Sequence, residues 1–155
     1  MKITAKGEYA CLAIIALSRH GLVGPPLHAL AIARQFDIPK PFLARILLRL
    51  KSAGLVESSR GTFGGYRLAR PVESISLGEV LHAVDGIGEP GHEVQGLTAR
   101  ILSAVLQRVR EAENSVLHQV SMAQLAARAE EVMPHPDVQA GPVPVDREGR
   151  SAGVA

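Results

Sequence analysis

A single glycine-rich hairpin interrupts a sequence otherwise written at helical spacing. Leu55-Val56-Glu57-Ser58-Ser59 and Tyr66-Arg67-Leu68-Ala69 are short strand-forming runs, and Arg60-Gly61-Thr62-Phe63-Gly64-Gly65 is the loop between them. Around this hairpin apolar residues recur at steps of three or four. Residues 4–20 place Tyr9, Leu12, Ala13, Ala16 and Leu17 on a helical face, and Gly21 with Gly24-Pro25-Pro26 ends that helix. A shorter helix is predicted over 27–35, with Leu27, Leu30, Ala31 and Ala33 inward, followed by a turn at Asp37-Ile38-Pro39-Lys40-Pro41. The third helix is predicted from about Pro41 to Ser52, burying Phe42, Leu43, Ile46, Leu47 and Leu50, with Gly54 as its terminator.

After the hairpin, Ser76 and Glu79 form a capping-box pattern that opens a helix over 77–85. Residues 86–96 carry glycines and a proline and read as a loop. A long helix over 97–117 repeats Leu97, Ile101, Val105, Val109, Ala112 and Val116 at helical steps. Ser121 and Gln124 cap a last helix that reaches about Val132, and residues 134–155 read as a disordered tail rich in Pro, Gly and polar residues. Three helices, a hairpin and further helices make a mainly α fold, a winged helix-turn-helix over 1–86. Residues 87–96 join it to a dimerisation helix and a terminal helix over 97–133.

The net charge of +2 hides an asymmetry. Residues 1–70 hold eleven Lys or Arg against three acids, a net of +8, while residues 71–155 carry −6. A basic half joined to an acidic half points to a polyanion partner for the first part, although a solvated basic surface has the same composition. On the third helix Lys40, Arg45, Arg49 and Lys51 lie away from the apolar side, where they could bond phosphates or guanine edges. The same residues would also suit the polar face of any surface helix. Arg60 and Arg67 flank the hairpin loop, whose glycines permit close approach to a phosphate or a narrow groove, or simply make the turn. The long helix presents a stripe that would pair with a second copy in a symmetric dimer matching a palindromic operator, or would cover the winged domain of its own chain.

Other classes fit poorly. No stretch approaches the roughly 20 apolar residues that span a bilayer, and no secretory signal follows Lys2 and Lys6. A single cysteine, Cys11, excludes an intrachain disulfide and suits a reducing cytoplasm. The six histidines are scattered, and no Ser/His/Asp or His-Glu-x-x-His pattern appears, which argues against an enzyme. A winged-helix protein-interaction module remains an alternative to a DNA-binding regulator.

Residues 1–10, Phe42-Leu43-Ala44-Arg45-Ile46-Leu47, Leu50-Lys51-Ser52-Ala53-Gly54-Leu55-Val56, the run Arg60-Gly61 with Gly64-Gly65-Tyr66-Arg67-Leu68-Ala69-Arg70-Pro71, and residues 75–81 with 83–86 form a set of segments. Together they resemble the Rrf family of winged-helix transcription regulators. The resemblance implies a cytoplasmic bacterial homodimer, a repressor or an activator, on double-stranded DNA, and a repressor is the expectation. It further implies the third helix in the major groove and the wing, Arg60, Gly61, Thr62, Gly64, Gly65 and Tyr66, at the minor groove, with Lys2 and Lys6 on phosphates. Pro39, Pro41 and Ala44 depart from residues that contact DNA in relatives, so sequence preference does not transfer. Cluster-binding relatives carry three cysteines before the long helix, whereas residues 86–100 contain none. That argues against an iron–sulfur cluster of the ordinary kind, and no cofactor is expected. Non-cysteine ligation, by Glu8 and a histidine or by His92 with Glu89 and Glu93, stays open as a metal-sensing alternative. So does an effector protein or small molecule. Cys11 reads as a small core residue on the first helix.

Overall fold

The computed structural model of the chain describes residues 3–86 and 96–132. Lys2, the loop residues Glu89, His92 and Glu93, and the tail expected over 134–155 lie outside the described residues.

Thr4 caps the first helix, α1 (Ala5–Ser18), by accepting a hydrogen bond from the Gly7 N–H at 3.2 Å. Its hydroxyl also donates to Asp85 at 2.7 Å, tying the start of α1 to a residue 81 positions away. The burial of α1 exceeds the single face expected from periodicity: Ala10, Ile14 and Ile15 go inward with Ala13, Ala16 and Leu17, while Tyr9 and Leu12 are only half-buried. A helix apolar nearly all round is one with neighbours on every side. Here α1 touches the third, fourth and sixth helices and the second strand.

Helix α2 (Ala29–Gln35) starts two residues later than its apolar pattern predicts. Leu27 is already committed to an isolated bridge with Tyr66: its N–H donates to the Tyr66 carbonyl at 2.8 Å, and Tyr66 donates back at 2.9 Å. This pins the helix pair to the wing, and on α2 Ile32 and Ala33 are buried while Leu30, expected inside, is 38% exposed. The chain then turns through Asp37 at φ 52°, a left-handed conformation that Asp tolerates better than most residues. Helix α3 (Lys40–Ser52) follows with Leu43, Ile46, Leu47 and Leu50 buried. Phe42, also expected inside, is 38% exposed and sets its ring edge-on to Tyr9 with centroids 6.0 Å apart.

Strands β1 (Val56–Ser59) and β2 (Gly65–Leu68) pair antiparallel, with Val56 opposite Leu68 and Ser59 opposite Gly65. A single 3-10 turn over Val72–Ser74 leads to helix α4 (Leu77–Asp85), which has the full Ser76–Glu79 capping box. Gly7 lets α1 and α4 approach closely; a Cβ there would meet Leu81 Cδ2 at 2.8 Å and Asp85 Oδ2 at 2.9 Å. Helix α5 (Leu97–Gln119) and helix α6 (Met122–Val132) close the described chain. Ser121 and Gln124 exchange hydrogen bonds at 3.1 and 3.2 Å, the second reciprocal cap read from sequence. The segment between α5 and α6 is held to the start of α4: Leu77 donates to Val120, and Met122 donates to Ile75, both at 2.8 Å.

One core results, centred on Ile14, Leu17, Ile32, Leu43, Leu47, Leu50 and Met122. Helix α5 barely joins it. Among its 23 residues only Leu117 is buried. No helix among the described residues is long and apolar enough to cross a membrane.

Candidate nucleic-acid interface

Of the residues expected to meet DNA, Lys40, Arg45, Arg49 and Lys51 are exposed on α3, and Arg60, Gly61 and Thr62 are exposed at the tip of the β1–β2 hairpin, while Lys6 lies on α1. Burial of Leu43, Ile46, Leu47 and Leu50 fixes the rotation of α3, so Lys40, Ala44, Arg45, Leu48, Arg49 and Lys51 are exposed. Lys6 from α1 and Arg45 and Arg49 from α3 converge on a shallow depression of about 220 Å³, with Phe42, Ile46 and Val84 completing its walls.

These cations are not equivalent. The Arg49 guanidinium donates to the Val84 carbonyl at 3.1 Å, in the last turn of α4 where exposed carbonyls favour a positive charge. Lys6 Nζ lies 3.9 Å from Asp85, so part of its charge is offset. Lys51 donates to Ser58 at 2.7 Å, and Arg67 pairs across the hairpin with Glu57. Among the described residues Lys40, Arg45 and Arg60 have neither an ion-pair nor a hydrogen-bond partner. A polyanion would meet those three charges unopposed.

The wing residues also separate by role. Arg60, Gly61, Thr62 and Phe63 are exposed at its tip, Phe63 to 87%. Gly64 and Gly65 are instead required by the chain's own packing. A Cβ on Gly64 would lie 2.4 Å from the Ser59 carbonyl oxygen, and one on Gly65 would lie 2.7 Å from that of Leu27. Gly65 also has φ 153°. Tyr66 is half-buried and carries the bridge to Leu27. Phe63 lies in the hairpin loop read from sequence, whereas Leu48 is absent from the candidates read there, although placing α3 on a helical wheel would have put it beside Arg45.

The stripe on α5 stands clear of the core. Leu97, Ile101, Val105, Val109 and Val116 are 51–75% exposed, and Ala112 is exposed with them. Leu102 and Leu106 widen the face, each adjacent in sequence to a residue already assigned to it.

The described residues offer one thiol. Cys11, the single cysteine, is half-buried, and burial together with the charges of Asp85 and Glu8 pushes its thiol up to about 12. Metal-binding cysteine is a thiolate, a form this environment disfavours. Among the described residues no group of three or more His, Cys, Asp or Glu could hold a metal ion.

Comparison with known proteins places this geometry among regulators. Residues 3–128 match the family model Rrf2, described as an iron-dependent transcriptional regulator. The HTH-type transcriptional regulator IscR of Cereibacter sphaeroides is 38% identical over 114 residues, which is 65% of this chain and 74% of that protein. Among solved structures, T. potens IscR is similar with a TM-score of 0.68 and 28% identity, over 88% of this chain and 94% of that one. CymR, the global cysteine regulator of B. subtilis, is similar with a TM-score of 0.66 and 29% identity, over 83% and 98%.

Proposed function

The chain belongs to the Rrf2 family of winged helix-turn-helix transcription regulators, and from that membership we propose that it works as a sequence-specific homodimeric repressor in the cytoplasm, with α3 in a major groove and the wing tip at the neighbouring minor groove. It is a DNA-binding transcription regulator, not an enzyme.

The observation that carries the reading is the set of uncommitted charges, Lys40 and Arg45 on α3 and Arg60 on the wing. Arginine in a groove can read a base edge or bond phosphates, and Lys6 and Arg49 border the same surface. Wing contact is assigned to Arg60, Gly61, Thr62 and Phe63, with Gly64, Gly65 and Tyr66 shaping the hairpin that presents them. The exposed face of α5 supports a dimer joined through that helix, whose two-fold symmetry would suit a palindromic operator.

The regulator is read as working without a cysteine-ligated iron–sulfur cluster. One thiol per chain, shifted away from thiolate, is a poor donor set for one. Its signal would then come from a small molecule or a partner protein.

The test is fluorescence anisotropy with a duplex selected by the full-length protein from a randomised library. Arg60→Ala is expected to weaken binding roughly tenfold. It should also lower the slope of log affinity against log salt by about one. Unchanged affinity with the dimer intact would remove the wing from the interface.

A further inference from the structure

The row of α3 that points furthest from the core is Pro41, Arg45, Leu48 and Ser52, at i, i+4, i+7 and i+11, opposite buried Leu43, Ile46, Leu47 and Leu50. All four are exposed. Only Arg45 in this row offers a charged fork. Leu48 is a large aliphatic side chain in the middle of an exposed row bordered by Arg45, Arg49 and Lys51, and it stays 64% exposed. No element of the described chain covers it. Singly exposed apolar residues are ordinary, and what sets Leu48 apart is its place in the row that carries Arg45, on the face turned directly away from the core.

In the major groove one base edge is apolar: the 5-methyl group of thymine. Guanine presents the paired acceptors that suit an arginine fork. Arg45 and Leu48 are three residues apart, about 4.5 Å along a helix. That is close to the roughly 3.4 Å between successive bases of one strand. We propose that Leu48 reads thymine through its 5-methyl group, within a base-pair step or two of a guanine read by Arg45. The proposal rests on α3 being the recognition helix, and it adds the base preference that the helix imposes.

The test uses the duplex selected from the randomised library and replaces each thymine of one half-site in turn by deoxyuridine. This removes the methyl group and leaves pairing and backbone intact. At one or two positions beside a guanine the wild-type protein should lose roughly fourfold in affinity, the worth of one buried methyl. That loss should vanish in Leu48→Ala, which no longer touches the methyl. Because deoxyuridine alters only the DNA, a folding defect in the variant cannot imitate the wild-type result. If every deoxyuridine duplex binds wild type unchanged while Arg45→Ala still abolishes preference for the selected sequence, α3 reads DNA without methyl contacts and the proposal is overturned. Methyl-dependent losses that persist undiminished in Leu48→Ala also overturn it, since another residue then makes the contact. If Arg45→Ala and Leu48→Ala both bind like wild type, the recognition-helix reading itself fails.

Discussion

Cys11 sits where a thiol stays a thiol. Burial on α1 raises its pKa from 9.0 to about 12, with Asp85 and Glu8 adding to the rise. The folded chain therefore holds the proton at pH values where the unfolded chain loses it. The resulting contribution to stability is full below pH 9.0 and is lost as pH rises toward 12. Reactivity follows the thiolate fraction, so iodoacetamide should label native protein at pH 8 at least about a hundredfold more slowly than protein in denaturant. Equal rates would show that Cys11 is open to solvent and free to ionise. Other single residues show how far a local pattern reaches. Leu30 and Ile32 are equally apolar and two positions apart, yet Ile32 is buried and Leu30 looks out. Ala29, Ile32, Ala33 and Phe36, at i, i+3, i+4 and i+7, form the face that joins the core, and Leu27, which the local pattern puts on the same helix, is held instead by its bridge to Tyr66, 39 positions away.

Helix α4 begins at a cap whose charge is set by its neighbours. Partial burial raises the pKa of Glu79, but the Ser76 N–H, Arg70 and the Ser76 hydroxyl together outweigh it and hold the carboxyl below its ordinary 4.5. A depressed carboxylate contributes stability above its unfolded pKa, and that contribution fades as pH falls through the folded value. Thermal melts should accordingly show Glu79→Gln narrowing its deficit against wild type as pH drops below 4.5. A deficit that is constant through that range would mean the charge is not what the cap uses. At neutral pH Ser76→Ala should cost about 1 kcal/mol, the usual worth of an N-cap. Both reciprocal caps were readable in advance because each links residues only three positions apart. The link from Arg70 to Glu79 was not, since it needs the 3-10 turn at Val72–Ser74 to bring them together.

At the scale of the whole molecule, α5 is a long helix with an apolar face and almost nothing among the described residues to cover it. Seven large apolar side chains on it are 47–75% exposed. Singly exposed apolar residues are ordinary, but a contiguous face of this kind marks a contact surface. A charged pair in its centre, Val105→Asp with Val109→Asp, should shift sedimentation from dimer to monomer and weaken binding to the selected duplex. Circular dichroism should stay helical, because neither residue belongs to the core around α1. A variant that remains dimeric would mean that α5 is not the subunit contact.

The order of helices and hairpin, the two capping boxes and the basic character of the first seventy residues were all legible in the chain itself. These features depend on hydrogen bonds and spacings a few residues long, or on composition alone. Tertiary structure decided which basic residues remain available. Arg49 is bonded to Val84 thirty-five positions away and Arg67 to Glu57 across the hairpin, whereas Arg45 and Arg60 have no partner among the described residues. The place of Leu48 beside Arg45 on α3, by contrast, needs only the helical period. A side chain's charge is written in the sequence, but whether that charge is already satisfied depends on what the fold brings within about 3 Å of it.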